Sequence, residues 1–122
     1  MAAEIGTVRA IAHGALHLQI DGFPYRIEGP DVTDLLRGKG VVRILRERIP
    51  KARHGFGTVE HVCAGYARPA PSGEAVLLNL EWPVIRHCTV EYGQLERVMR
   101  GDRLRAPVLI ASSARVLQEG RR

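Results

Sequence analysis

An internal repeat constrains this chain more than any other feature of its sequence. The stretch Ile5-Gly6-Thr7-Val8 returns as Phe56-Gly57-Thr58-Val59. Further along, Leu16-His17-Leu18-Gln19-Ile20-Asp21 returns as Val76-Leu77-Leu78-Asn79-Leu80-Glu81, with the apolar positions in register. Because a one-residue slip would turn a strand inside out, this agreement indicates one supersecondary unit that was built twice.

The repeat also sets the domain organisation. We predict a single domain, 1–122, made of two repeats at about 5–45 and 56–111 and a basic connector, 46–55. The two halves must share one core, because a unit of about 50 residues buries too little surface to stand alone.

Each half is predicted to follow the order β-β-β-α-β. In the first half, Asp21-Gly22 is typical of a hairpin turn, Asp31 is placed to cap a short helix, and Gly38 is placed to end it. The fold class is therefore α+β and β-rich, with this unit present twice.

Two differences between the halves are expected to give the second repeat a longer loop and a longer helix. Residues 66–74 separate Gly65 from Ala75, which predicts a protruding, proline-rich loop in the second hairpin. The second helix is predicted to run about one turn longer, from Glu91 to Arg100. Pro107 predicts that the last strand lies at an edge or a bulge.

The composition is that of an ordinary globular protein, with 45% hydrophobic and 25% charged residues. No apolar run approaches the roughly 20 residues that span a bilayer, and the N-terminus has no signal-peptide pattern, so a cytoplasmic location without membrane partners is expected. The scarcity of Asn and Gln indicates a thermophilic source. Cys63 and Cys88 are interpreted as buried thiols and not as a disulfide.

The segment from Leu95 to Leu104 places Gly101-Asp102 between a helix and a strand. It resembles the "GD box" of the cradle-loop β-barrels, which are built from two interleaved copies of a strand-strand-helix-strand unit. In the first half Gly38-Lys39 stands at the corresponding place and departs from the pattern. The resemblance implies a closed barrel with a pseudo-two-fold axis, in a superfamily that includes DNA-binding proteins, enzymes and adaptor domains. The alternative is two antiparallel sheets with helices on one side.

Arginine supplies nearly all of the positive charge, and the formal net charge is +5. The basic residues follow the helix in each repeat, which predicts two similar patches suited to the phosphates of DNA or RNA. Tyr25, Phe23 and Tyr66 are candidates for base stacking. The alternative is a solvated arginine surface without a partner. The predicted nucleic-acid-binding residues are Arg43, Arg46, Arg48, Lys51, Arg53, Arg97, Arg100, Arg103 and Arg105.

Two further groups of side chains could form a site. His61 and Cys63 share one side of a strand and could bind zinc, but both align with alanines of the first repeat and are interpreted as core positions, so no metal or cofactor is predicted. Adjacent His87 and Cys88 face opposite ways. Repeat-matched Asp21 and Glu81, with Arg26 and Arg86, form a candidate ligand pocket near the pseudo-two-fold axis.

The functional prediction is a nucleic-acid-binding module of low sequence specificity. The first alternative is a protein-interaction or assembly subunit, with a homodimer formed through the strand near Pro107 or through loop 66–74. The second alternative is a small-ligand-binding or enzymatic cradle-loop barrel. No phosphate-binding loop, nucleophile elbow, zincin helix or dinucleotide fingerprint occurs, so catalysis is not predicted.

Overall fold

The computed structural model describes residues 3–47 and 61–111. Each half has the predicted order β-β-β-α-β, with a short 3-10 turn at Ala12–Gly14. The elements of the first half are β1 Glu4–Ala10, β2 Leu16–Ile20, β3 Phe23–Ile27, α1 Gly29–Leu36 and β4 Val42–Glu47. Those of the second half are β5 His61–Pro69, β6 Ala75–Leu80, β7 Arg86–Glu91, α2 Tyr92–Met99 and β8 Ala106–Ile110.

The strands form a closed antiparallel barrel in which neighbours follow chain order, and β8 closes on β1. This confirms the predicted barrel in place of two open sheets. The two repeats occupy contiguous halves of the wall, whereas the resemblance implies that they interleave. Eight strands leave an interior that side chains fill. The predicted inward set is buried there: Leu16, Leu18, Ile20, Val76, Leu78 and Leu80.

Both helices cover the same end of the barrel, which we call the helix-bearing end. The Tyr92 hydroxyl of α2 donates a hydrogen bond to the Leu36 carbonyl of α1 and so links them. Both helices end as predicted, at glycines with positive φ, Gly38 and Gly101. Neither helix is long and apolar enough to cross a membrane, and no other α-helix occurs in the described part of the chain.

The predicted lengthening of the second helix is wrong, because α1 and α2 both have eight residues. The extra residues of the second half lie in the loop Glu81 to Ile85, whose counterpart is the two-residue turn Asp21-Gly22. Asp31 is not the cap of α1, which begins at Gly29 with Glu28 as N-cap.

The structural counterpart of Gly6 is Gly65. A Cβ atom at Gly6 would lie 1.8 Å from the Gln19 carbonyl oxygen, and one at Gly65 would lie 2.2 Å from the Asn79 carbonyl oxygen. Each glycine therefore allows the neighbouring strand, β2 beside Gly6 and β6 beside Gly65, to pass close to its backbone. We call these two contacts the glycine crossings. Phe56-Gly57-Thr58-Val59, which the sequence aligns with Ile5-Gly6-Thr7-Val8, lies outside the described residues.

This register removes the predicted protruding loop. Residues 66–69 continue β5 and pair with β6, so only residues 70–74 form the turn, which matches turn 11–15 in length. Pro107 is also not at an edge, because β8 pairs with β1 and β7. It lies opposite Thr7, beyond the point where the ladder to β7 ends at Leu109. There the missing N–H of proline interrupts no bond to β7.

Candidate functional site

Four side chains form a row across the outside of the barrel, and we call them the outer row. Arg43 of β4 lies opposite Tyr66 of β5, Tyr66 opposite Asn79 of β6, and Asn79 opposite His87 of β7. Their chain neighbours, among them Ala67 and Cys88, are buried in the core, so the row faces outward. With strands about 4.8 Å apart, the row spans about 14 Å.

Tyr66 is the exposed aromatic side chain of this row. It is 42% exposed and lies between the cation Arg43 and the amide of Asn79. A hydrogen bond with Cys63 raises the pKa of its phenol, as does the nearby carboxylate of Glu81, while Arg43 lowers it. The ring therefore stays uncharged at neutral pH and presents an apolar surface beside a cation.

The far end of the outer row is held in place by a side-chain contact. His87 Nδ1 lies 2.8 Å from Asn79 Oδ1. This contact orients the imidazole and fixes the amide so that its NH₂ group points away from the ring. The row thus presents a cation, an aromatic ring, an amide and an imidazole in sequence along one wall.

The same backbone positions on the opposite wall carry different side chains. Thr7 of β1 lies opposite Pro107 of β8 and Gln19 of β2, and Gln19 lies opposite Pro24 of β3. We call Pro107, Thr7, Gln19 and Pro24 the opposite row. When β1 is aligned with β5 so that Gly6 coincides with Gly65, Thr7 coincides with Tyr66 and is its counterpart. The opposite row has neither a charge nor an aromatic ring.

The predicted basic residues that the structure describes lie at separate places on the barrel. Arg43 lies on the outer wall and Arg46 at the end of the barrel without helices, which we call the helix-free mouth. Arg48, Lys51 and Arg53 lie outside the described residues. The remaining four arginines are in α2 or follow it at the helix-bearing end: Arg97, Arg100, Arg103 and Arg105. Arg100 pairs with Asp102 at 3.3 Å, and Arg103 donates a 2.6 Å hydrogen bond to Gln94.

The two basic patches are therefore not equivalent, because Arg43 and Arg46 belong to a strand and the second group to a helix and its exit. Acidic and basic side chains nearly balance over residues 3–47 and 61–111. Most of the net charge of +5 thus comes from the sequence at 48–60 and 112–122.

The predicted stacking residues divide into one buried and two exposed rings. Tyr25 is in the core, burial raises its pKa to about 12, and its hydroxyl donates a 3.0 Å hydrogen bond to the Trp82 carbonyl. It cannot stack on a base, so that part of the prediction is wrong. Phe23 is 37% exposed at the helix-free mouth, and Tyr66 is on the outer wall.

Trp82, which sequence reasoning missed, is the centre of the helix-free mouth. The Arg46 guanidinium lies 4.4 Å from its ring centroid, and Phe23 meets it edge to face at 5.4 Å. The signal for this contact was the length of the second loop relative to Asp21-Gly22, since the extra residues reach back over the first repeat.

The four residues of the candidate ligand pocket do not meet. Asp21 and Arg86 do pair across the repeats, because Arg86 Nε and Nη2 donate bonds of 2.7 and 3.1 Å to the carboxylate. The hydrogen bond from Arg86 lowers the pKa of Asp21. Arg26 instead lies 3.2 Å from Glu28, and its position next to buried Tyr25 turns it to the outside. Glu81 makes no ion pair with another described residue.

Two surface grooves of about 450 and 440 Å³ lie at the helix-bearing end, away from these four residues. Glu74, Glu91 and Glu96 line the first groove. Gly40, Arg68 and Pro71 are among the residues that line the second groove. Neither groove contains a residue of the predicted pocket.

The cysteines differ in a way that the sequence did not indicate. Cys88 is buried in the core, where desolvation raises its pKa to about 11, but Cys63 is exposed and its thiol donates to the Gly65 carbonyl at 3.4 Å. The interpretation of Cys63 as a core position is wrong because its counterpart is Glu4 and not Ala12. His87 and Cys88 face opposite sides, as predicted.

His61 begins β5. No group of three or more metal-ligating side chains occurs within the described ranges.

Comparisons with known proteins give no relative. No protein-family model matches the chain, and neither a curated protein nor a solved structure matches it significantly. We therefore infer function from the geometry of the described residues.

Proposed function

We propose that this protein binds single-stranded nucleic acid, DNA or RNA, with low sequence specificity across the outer row. The observation that carries the proposal is Tyr66, an exposed aromatic ring on a sheet surface with Arg43 directly opposite it on the next strand. Sheet surfaces that bind single strands combine these two features, a ring for a base and a cation for the phosphate.

The chemistry of the row favours a single strand over a duplex. A base must leave its stack to lie on the Tyr66 ring, and an unpaired strand allows this at little cost. Each stacked base contributes about 1–3 kcal/mol irrespective of its identity, which gives affinity without specificity. Arg43 adds a phosphate contact, and Asn79 and His87 add hydrogen-bonding groups at the end of the row.

We infer membership of the cradle-loop barrels only as a secondary proposal. The closed barrel, the two repeats and the Gly101-Asp102 pair after α2 support it. The chain order of the strands is a departure from that pattern. Nucleic-acid binding by the outer row does not depend on this membership.

The test is fluorescence anisotropy with labelled single strands and a duplex of the same sequence. Tyr66→Ala is expected to weaken single-strand binding about tenfold, because it removes the stacking surface. Tyr66→Phe keeps the ring and should bind within about twofold of the parent. Thr7→Ala, at the counterpart position, is the matched control and should bind like the parent.

Two results would refute the proposal. One is an absence of single-strand binding by the parent at low salt, where phosphate contacts are strongest. The other is equal loss of affinity in Tyr66→Ala and Thr7→Ala, which would mean that the outer row is not the binding surface.

A further inference from the structure

The helix-free mouth exposes apolar side chains around Trp82. Val84 is 60% exposed and Ile85 is 75% exposed, both in the loop that carries Trp82. Phe23, which contacts the Trp82 ring, and Val62, the ladder partner of Arg46, are also exposed. A cluster of this kind on one end of a small domain is typical of an interaction surface.

One cation in this apolar setting has no acidic partner among residues 3–47 and 61–111. Arg46 is half-buried, and no acidic side chain in the described residues pairs with it. Its Nε is buried and has no hydrogen-bond partner there. Arg86, near the same mouth, is instead neutralised by Asp21. Because a buried donor without a partner is costly, Arg46 is a site where an anion would supply a partner that the described part of the chain does not.

The guanidinium is held in a fixed orientation before any partner arrives. One of its faces lies on the Trp82 ring, and the Trp82 backbone is fixed by the hydrogen bond from Tyr25. Phe23 packs against the edge of the same indole. Preorganisation of this kind lowers the entropy lost on binding.

We propose that the helix-free mouth docks a peptide segment of a partner protein in which a carboxylate lies beside apolar side chains. The carboxylate pairs with Arg46, and the apolar side chains cover Val84, Ile85 and Phe23. Arg46 already covers one face of the indole, so Trp82 does not offer a free stacking surface to a base there. A second copy of this mouth is a poor occupant, since two Arg46 cations would face each other.

The test begins with a phage-displayed library of random peptides selected on the whole protein. Enriched peptides are expected to carry an acidic residue next to apolar ones. Their affinity is then measured from the fluorescence of Trp82, which reports on the mouth directly because the chain has only one tryptophan. Arg46→Gln should weaken binding about tenfold or more, as expected for removal of one partner of a charged pair.

Further variants separate docking from folding and from nucleic-acid binding. Ile85→Ser changes an exposed loop residue that the fold does not need, and it should weaken peptide binding about fivefold, as expected for one apolar contact. Arg43→Ala removes the same charge as Arg46→Gln but lies on the outer wall, so peptide affinity should stay unchanged. Single-strand binding should show the reverse pattern, because Arg43→Ala weakens it and both Arg46→Gln and Ile85→Ser leave it unchanged.

The proposal is overturned if no peptide is enriched, or if the enriched peptides lack acidic residues. It is also overturned if they bind Arg46→Gln and Ile85→Ser as tightly as the parent. These results would leave single-strand binding by the outer row unaffected, so the two proposals fail separately.

Discussion

The two walls of the barrel share a backbone and differ in chemistry. The outer row reads Arg43, Tyr66, Asn79 and His87, and at the same ladder positions the opposite row reads Pro107, Thr7, Gln19 and Pro24. The duplication explains why both rows exist, because each is set by one glycine crossing. It does not explain their side chains. The difference between the rows therefore separates what the fold requires from what a function requires.

The helix-free mouth gives the same contrast between its two hairpin loops. Asp21-Gly22 turns in two residues, with positive φ at both, as a tight hairpin requires. The counterpart from Glu81 to Ile85 is longer, and it places Trp82 against Phe23 and Arg46 of the first repeat. The longer loop is the part of the second repeat that carries exposed apolar side chains, Val84 and Ile85.

The largest expected effect tests the shared backbone. Gly6→Ala and Gly65→Ala should each lower the free energy of unfolding by about 3 kcal/mol, because the new methyl group would overlap a carbonyl oxygen of the neighbouring strand. Gly6→Ala should be the worse of the two, since its clash is closer. Urea denaturation followed by circular dichroism measures both.

Gly93→Ala is the control for these two variants. Gly93 is in α2, and a Cβ atom there would meet nothing within 4 Å. Alanine should therefore stabilise the protein by about 0.5–1 kcal/mol. If Gly65→Ala were as stable as the parent, Gly65 would not be the counterpart of Gly6, and the comparison of the two rows would lose its basis.

Much of this backbone could be predicted from local patterns. The alternation at 16–20 and 76–80 gave the inward faces, and Gly38 and Gly101 gave the helix ends, since period-two burial and positive φ are local properties. The register of β5 could not be predicted in the same way. The sequence around Gly57 resembles the sequence around Gly6 more closely than the sequence around Gly65 does. Only strand pairing shows that Gly65 lies beside the carbonyl oxygen of Asn79, as Gly6 lies beside that of Gln19.

The candidate sites were less predictable for the same reason. Arg43 and Tyr66 were both identified as candidates, but they are 23 positions apart in the chain, and the β4–β5 ladder makes them neighbours. Arg46 was grouped with the other cations by sequence, whereas the inward side of β4 places it on Trp82. Proximity between strands is a property of register, and the sequence pattern alone does not contain it.

A smaller effect tests whether charge on the outer wall acts as proposed. Arg43→Ala should weaken single-strand binding about threefold to tenfold and reduce the slope of log affinity against log salt by about one phosphate contact. Arg105→Ala removes the same charge from the exit of α2 and should change neither quantity. Anisotropy titrations over a salt series provide both numbers. If Arg105→Ala reduced the slope as much as Arg43→Ala, binding would follow net charge and the two walls would not differ.

The smallest expected effect compares the turn Asp21-Gly22 with the loop from Glu81 to Ile85, through the pH dependence of the free energy of unfolding. Arg86 lowers the pKa of Asp21 below its ordinary value of 3.8, so folding favours the ionised carboxylate. The resulting stability is fully present above pH 3.8 and is lost as pH falls through the lower folded pKa. Since both side chains are about one-third exposed, the contribution should stay below about 1 kcal/mol.

Asp21→Asn should therefore be less stable than the parent at neutral pH, and the difference should vanish in acid, as measured by urea denaturation at a series of pH values. Glu81→Gln is the matched control, because the counterpart of Arg86 on the first repeat is Phe23, which cannot pair with a carboxylate. Its stability should follow that of the parent over the same pH range. A difference between Asp21→Asn and the parent that persisted unchanged in acid would show that Asp21 acts through the geometry of its turn. In that case the ion pair with Arg86 would contribute nothing to holding the two repeats together at the helix-free mouth.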